Sequence, residues 1–320
     1  MPHLLIARTV HEDGLRLLRE RSDWTFTCLD NAPDQEFAEH LPQADAVVLR
    51  YRPLGRAHVE QAPRLRCVSR HGVGYDSVDT AALRERGIAL AITPNANASA
   101  VAEHAMALLL AVARRIPQCH ASVAAGQWAQ GIGAQPFFEL EGKQALVVGA
   151  GRIGRAMATR LQGFGMAVRC FDPLLPAGAP LPAGCERAEA LAPALAEADV
   201  VSLHVPATPA TLGLVDPLAC KRGAILLNTA RGGVVDMQRL HTALRTGHLY
   251  GAGTDVFDTE PVPAGHPLLA EPALVATPHV ASLSDGALRR MAQESVQNVL
   301  DFFDGRLQTG AAVDLRAGAA

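Results

Sequence analysis

The sequence predicts an α/β protein built from two doubly wound parallel-sheet domains. Three observations lead there. Short apolar, β-rich runs alternate with helix-patterned stretches along most of the 320 residues. The alternation falls into two series, separated by one long apolar helix pattern. Only the second series carries a glycine-rich strand-to-helix turn, GAGRIG, at residues 149–154. Alternation of this kind builds βαβ units whose parallel strands are covered by helices, and the length suffices for two cores.

The first series consists of HLLIA (3–7), AVVLR (46–50), LRCVS (65–69) and IALAI (88–92). Helical spacing of apolar residues appears between them, at 12–20 and 77–86. A long helix is expected from near Ser99, because Val101, Ala105, Leu108, Leu109 and Val112 recur at helical intervals and Pro117 lies just beyond Arg114 and Arg115. The second series runs QALVVG (144–149), AVRCFD (167–172), VVSLH (200–204), AILLNT (224–229), GAGTDVF (251–257) and ALVAT (273–277). One more helix is expected at 285–303, followed by a small-residue tail, GAAVDLRAGAA, expected to fray. Because this helix follows the last strand of the second series, it is expected to return to the first. That gives a discontinuous domain of residues 1–98 plus 285–320, a second domain of residues 99–284, and a cleft between the lobes.

Composition excludes several classes. Hydrophobic residues make up 49% and charged residues 19%, the net charge is −3, and the basic residues are scattered. No basic tract suggests a nucleic-acid partner. The six cysteines form no C-x-x-C pair and no metal-ligand spacing, so a reduced, cytoplasmic setting and no metal are expected. The N-terminal apolar run breaks at Arg8, unlike a signal peptide. The longest uncharged apolar run, 105–113, is about half a membrane span, so no membrane association is expected.

The glycine turn follows the strand QALVV and opens an apolar helix, the context in which G-x-G-x-x-G binds a dinucleotide. Gly149 permits the turn, Gly151 admits a pyrophosphate close to the backbone, and Gly154 lets helix and strand pack. The amides of Arg152 and Ile153 are then expected to face phosphate from the helix start. Asp172 ends the next strand, where a carboxylate meets the ribose hydroxyls and repels a 2′-phosphate. NAD is therefore expected rather than NADP. The structural alternative is that Asp172 merely starts a turn with Pro173.

Three polar residues sit where later strands run out: Arg231 in NTARGG, Glu260 in FDTEP and His279 in ATPHVAS. Imidazole can pass a proton near neutrality, a nearby carboxylate raises its pKa and fixes its tautomer, and guanidinium can hold a carboxylate through two parallel bonds. Each also has an ordinary structural reading, as a core histidine, a turn glutamate or a surface arginine. Asp255 could accept from a nicotinamide carboxamide or simply be a turn aspartate. His104 and His204 fall inside apolar patterns and need no chemical role.

The runs NTARGGVVD, GHLYGAGTDVFDTEP and ATPHVAS resemble those of the D-isomer-specific 2-hydroxyacid dehydrogenases. SRHGVGYDSVD, NASAVAEHAMALLL, GKQALVVGAGRIG and HVPATPATLGLVD do so as well, in order along nearly the whole chain. The resemblance implies a Rossmann NAD-binding domain beside a flavodoxin-like substrate domain. It implies that Arg231 binds substrate, that His279 is the general acid/base and that Glu260 is its partner. Asp255, Thr229, Ala230, Arg231, His279 and Ala281 would meet the nicotinamide end of the cofactor, and His204, Val205, Pro206 and Thr211 would line the rest of its site. The backbone NH groups of Val73 and Gly74 would bind the carboxylate of a small 2-oxo or D-2-hydroxy acid. The family further implies a homodimer built around residues 99–115 and the arm through Trp128.

Arg52, in LRYRP, stands where some phosphoglycerate-oxidising relatives meet a distal phosphate, so it is expected either to favour a second anionic group or to be a solvated loop arginine. Glu260 argues against formate oxidation, which has no hydroxyl proton to remove. The leading expectation is a 2-oxo-acid reductase acting on glyoxylate, hydroxypyruvate or a similar compound. Phosphoglycerate dehydrogenase is the alternative within the class, phosphite oxidation is more remote, and an NAD-sensing, corepressor-like binding protein is the alternative of another class.

Overall fold

The computed structural model of the chain describes residues 1–132, 136–176 and 178–315. It divides into two compact units, Met1–Asn97 with the chain from Leu283 onward, and Ala98–Ser282. The first unit begins β1 (His3–Ile6), α1 (Glu12–Arg19), β2 (Thr25–Cys28), α2 (Asp34–His40), β3 (Ala46–Leu49), α3 (Arg56–Glu60), β4 (Cys67–Arg70), α4 (Thr80–Glu85) and β5 (Ala89–Ala91). Its five strands are all parallel, in the order β2-β1-β3-β4-β5. β3 is buried along its whole length, as a central parallel strand covered on both faces must be.

The second unit contains α5 (Ala98–Ala113), α6 (Ile116–Ala124), β6 (Gln144–Val148), α7 (Arg152–Gly163), β7 (Ala167–Phe171), β8 (Glu186–Arg187), α8 (Leu191–Glu197), β9 (Val200–Leu203), β10 (Ile225–Asn228), α9 (Met237–Arg245), β11 (Gly251–Thr254) and β12 (Leu274–Ala276). Seven parallel strands run β12-β11-β10-β9-β6-β7-β8. The order reverses direction after β6, at the switch point where open α/β sheets take ligands beyond their carboxyl ends. Two apolar cores cover the faces of this sheet. One is built from Leu146, Val201, Leu226 and Leu240, and the other from Leu109, Val147, Leu161 and Leu227.

The last helix, α10 (Asp285–Phe303), belongs to the first unit and packs with Val296 and Val299 against Leu4, Ile6 and Val48. Its N-cap Ser284 accepts from the Ala287 amide. α1 approaches it so closely that a Cβ on Gly14 would lie 2.7 Å from the Ala292 carbonyl oxygen.

Two expectations need correction. The first sheet has a strand, Thr25–Cys28, that the apolar runs did not announce; it is an edge strand with no fully buried residue. The tail expected to fray is docked as far as it is described. Ile92 N donates to the Ala311 carbonyl and Val313 N to the Leu90 carbonyl, while Val313 and Leu315 pack on the core. The unpaired edge of β5 supplies the hydrogen bonds that hold it. Residues 316–320 lie outside the described residues. Among the described residues no helix is long and apolar enough to cross a membrane.

Gly14→Val should lower the unfolding free energy by about 1–3 kcal/mol through overpacking, more than the roughly 0.3 kcal/mol by which Val, itself a poor helix former, improves on Gly. Urea unfolding followed by circular dichroism checks this, and an unchanged midpoint would contradict the close helix pairing.

Candidate active site

The glycine turn lies where β6 ends. Gly149 has φ +95°, and a Cβ there would lie 2.5 Å from the His204 carbonyl oxygen. A Cβ on Gly154 would fall 1.9 Å from the Gly149 carbonyl oxygen, whereas one on Gly151 would meet nothing within 4 Å. The first and third glycines thus serve close packing, and the second leaves open space over the backbone. Gly151 caps α7, so the first-turn amides of Arg152 and Ile153 have no acceptor within the helix. These features form a cradle suited to a pyrophosphate.

Asp172 follows β7 and spans the turn. Oδ2 accepts from the Ala150 amide at 2.9 Å and Oδ1 from the Leu174 amide at 3.0 Å. It is thus a turn aspartate that also ties down the glycine loop, and each oxygen keeps acceptor capacity. After β9, His204 bonds Ser202 Oγ through Nε2 at 2.9 Å. Its Nδ1 is buried without a partner, and burial pulls its pKa down to about 3, so it is neutral. Val205 packs on the core, and Thr211 Oγ1 donates to the Pro206 carbonyl while accepting from the Thr208 amide. Thr229 Oγ1 is a second buried polar atom without a partner. These orphaned groups fit a polar ligand along the carboxyl ends of β6, β9 and β10.

Arg231 follows β10. Asn228 clamps this loop, accepting from the Ala230 amide at 3.0 Å and donating to the Arg231 carbonyl at 2.9 Å. The next residue, Gly232, lies against the loop after β11; a Cβ there would meet the Phe257 carbonyl carbon at 1.9 Å. Phe257 in turn donates its amide to Glu260 Oε1 at 2.9 Å. The Arg231 and Glu260 loops are therefore held together backbone to backbone.

Glu260 Oε2 lies 2.7 Å from His279 Nδ1. The Glu260 hydrogen bond and charge raise the His279 pKa above its ordinary value of 6.5, against burial and the positive charge of Arg231. Burial pushes Glu260 upward, but the bonds from His279 and the Phe257 amide, with the charges of His279 and Arg231, hold it below the usual carboxylate value. Arg231 thus acts on both partners. The side chains of His279 and Glu260 are 46% and 36% exposed, so the pair is open to a ligand.

His279 is left-handed, φ +54°, a conformation that costs a non-glycine residue about 1–2 kcal/mol. Asp255, 1% exposed, surrounds it with acceptors. Its carbonyl takes the His279 amide at 2.9 Å. Its carboxylate takes the Val280 amide at 2.9 Å, the Ala281 amide at 2.9 Å and the Thr277 hydroxyl at 2.6 Å. Sequence reading missed Asn228, Thr277 and His104 here. His104 lies 2.8 Å from Thr277 Oγ1 and 3.5 Å from Asp255 Oδ1, so it is more than a histidine in an apolar pattern. Only its spacing on a helix, and the hydroxyl before Pro278, could have signalled it.

In the first unit Val73 and Gly74 are half-buried, and Arg70 Nε fastens their loop by donating to the Gly74 carbonyl at 2.8 Å. Arg52 has partners within the first unit, and its Nε is buried without one. It donates to Asp34 Oδ1 at 2.8 Å and to the Ala32 carbonyl, and lies 4.8 Å over the Phe37 ring.

A glycine turn suited to a dinucleotide, with a hydrogen-bonded His–Glu pair and an arginine beyond the carboxyl ends of the same sheet, is the arrangement expected of a nicotinamide-dependent dehydrogenase. Comparison with known proteins narrows the class. Residues 106–281 match the family described as D-isomer specific 2-hydroxyacid dehydrogenase, NAD binding domain. The chain is 36% identical to a glyoxylate reductase of Korarchaeum cryptofilum, over 96% of this chain and 94% of that protein. It is 34% identical to a D-3-phosphoglycerate dehydrogenase of Methanocaldococcus jannaschii, over 94% of this chain but only 58% of that longer protein. The crystal structure of the TT0316 protein from Thermus thermophilus superposes with a TM-score of 0.86 at 38% identity, covering 97% of this chain and 99% of that one. The chain belongs to the D-isomer-specific 2-hydroxyacid dehydrogenase family and is an NAD-dependent oxidoreductase acting on CH–OH groups.

Gly154→Ala must displace the Gly149 carbonyl and should weaken NADH binding by about tenfold or more, since ~1.4 kcal/mol of distortion suffices. Titration of NADH fluorescence checks it; unchanged affinity would mean that this turn is not the cofactor cradle.

Proposed function

We propose that the protein is a 2-oxo-acid reductase that converts glyoxylate, hydroxypyruvate or a similarly small 2-oxo acid to the D-2-hydroxy acid with NADH. The observation that carries this reading is the 2.7 Å bond between His279 Nδ1 and Glu260 Oε2, beside Arg231. With Nδ1 engaged by Glu260, Nε2 is the ring position left to give a proton to the C2 oxygen. Arg231 holds the substrate carboxylate or polarises its carbonyl. The amides of Val73 and Gly74 are proposed as further carboxylate donors, on the family resemblance.

Gly149, Gly151, Arg152, Ile153, Gly154, Asp172, His204, Val205, Pro206, Thr211, Thr229, Ala230, Asp255 and Ala281 are proposed to hold the cofactor. NAD is preferred to NADP because Asp172 supplies a carboxylate where a 2′-phosphate would lie. Bound NADH supplies the hydride, and the overall change is R–CO–COO⁻ + NADH + H⁺ to R–CH(OH)–COO⁻ + NAD⁺. No metal is part of the proposal. A homodimer through residues 99–128 is proposed with it, supported by the exposed apolar side chains of Ile116, Val123 and Trp128. A cytoplasmic setting is supported by six free cysteines.

Phosphoglycerate oxidation is the less favoured reading, because Arg52 would have to give up Asp34 and the Ala32 carbonyl to meet a distal phosphate. Turnover of NADH with a panel of glyoxylate, hydroxypyruvate, pyruvate, phenylpyruvate and phosphohydroxypyruvate tests the proposal. A higher kcat/KM on the phosphorylated compound would reverse the substrate choice. Tight NADH binding without turnover of any of them would favour a sensor. His279→Gln should lower kcat by about 10²–10⁴-fold while NADH binding persists; surviving activity would remove His279 from the proton transfer.

The pH dependence follows from the raised His279 pKa. Reduction needs imidazolium, so reductive kcat/KM is full below that pKa and falls as pH rises through it; oxidation shows the opposite limb. Glu260→Gln removes the charge that raises the pKa, so the limb should move to lower pH. A limb that stays in place would assign it to another group.

A further inference from the structure

His104 stands at the far end of a hydrogen-bonded chain that ends at His279. α5 lies along β11, and two glycines let it come close. A Cβ on Gly251 would lie 2.6 Å from Val112 Cγ1, and one on Gly253 would lie 2.8 Å from Leu108 Cβ. Four residues of helix advance about 6 Å and two residues of strand about 6.6 Å. The stripe Val112, Leu108, His104 therefore keeps step with Gly251, Gly253, Asp255 along the strand, which runs opposite to the helix. That register delivers His104 Nε2 to 2.8 Å from Thr277 Oγ1 and 3.5 Å from Asp255 Oδ1.

The direction of the bonds follows from what each group can donate. The Asp255 carboxylate accepts the amides of Val280 and Ala281 and lies 2.6 Å from Thr277 Oγ1. A carboxylate accepts only, so the Thr277 hydroxyl gives its one proton to Asp255. Thr277 Oγ1 can then only accept from His104, which fixes a proton on His104 Nε2. Donation runs from His104 to Thr277 to Asp255, and the two amides that follow His279 donate to the same carboxylate.

We propose that His104 is a positioning residue for the proton transfer: it holds Thr277 and Asp255 in the arrangement that keeps the left-handed His279 aimed for reaction. His104 acts through this chain and need not touch substrate. The inference rests on the reading of His279 as the acid/base, so its test has one arm that requires no turnover.

The experiment compares the wild-type 320-residue chain with His104→Leu, His104→Gln, Thr277→Val and the double variant of His104→Leu with Thr277→Val. Gln carries an amide N–H at the reach of Nε2 and should rescue; Leu and Val fill space without donating. Without substrate, hydrogen exchange of the Val280 and Ala281 amides should accelerate in His104→Leu and Thr277→Val and stay near wild type in His104→Gln. With the best 2-oxo acid of the panel, kcat should fall by about 10–100-fold in the two apolar variants, the scale expected of a small misplacement. NADH affinity and KM should change by less than about threefold, and the double variant should be no worse than either single one. Unchanged exchange in His104→Leu overturns the inference, as do additive effects in the double variant or a His104→Gln variant as impaired as His104→Leu. Exchange that behaves as expected, in a protein that reduces no 2-oxo acid, upholds the positioning chain and removes the substrate reading alone.

Discussion

The arrangement of the catalytic edge depends on one buried carboxylate. Asp255 is 1% exposed, and placing a charge there is costly unless it is fully hydrogen-bonded. The Thr277 hydroxyl and two amides satisfy it, and they come from the segment that carries His279. Folding the acid into the sheet edge therefore compels that segment into place. Losing the carboxylate would leave the buried Ala281 amide unpaired, at about 1–3 kcal/mol, and the part-buried Thr277 hydroxyl and Val280 amide without their acceptor. Together these bonds offset the cost of the left-handed His279 backbone, which explains how a non-glycine residue is held there. The family reading gives Asp255 a nicotinamide contact.

Close backbone approach supplies the second constraint. Gly154 against Gly149, Gly149 against His204, and Gly232 against Phe257 each place a missing Cβ on main-chain atoms of another segment. Side chains can rotate away from a clash, whereas main-chain atoms move only with their whole segment. The cofactor turn, the Arg231 loop and the Glu260 loop are thereby fixed relative to one sheet. Two of these contacts join segments far apart in sequence, so neither loop could drift without unpicking the other.

Much of this arrangement is legible in the amino-acid sequence, and the limits are physical. The strands of both central sheets announce themselves because fully covered parallel strands are continuous apolar runs, as Ala46–Leu49 and Ile225–Asn228 are. Thr25–Cys28 does not, since an edge strand with half-exposed residues needs no such run. The tail at 311–315 reads as loose because its anchoring is largely backbone, borrowed from β5. At the site, Arg231, Glu260 and His279 stand out as polar residues ending apolar strands. Asn228, Thr277 and His104 do not, because their work is to satisfy neighbours, and a sequence does not display which donor meets which acceptor. Arg52 shows the converse: its charge is conspicuous in LRYRP, yet the sequence does not display that Asp34, Ala32 and Phe37 stand against it.

Charge placement in the trio sets how the pair titrates. A histidine beside a carboxylate gains affinity for its proton, but a carboxylate raised by burial would compete for that proton and weaken the effect. The His279 hydrogen bond, then the Phe257 amide and the charges of His279 and Arg231, hold Glu260 below the usual carboxylate value despite burial. The positive charge of Arg231 also opposes protonation of His279, a loss outweighed by the Glu260 bond. The arginine proposed to hold substrate thus acts on both members of the pair. The close approach of Gly232 to Phe257 sets the Arg231 and Glu260 loops against each other, so the backbone governs where this charge stands relative to the pair.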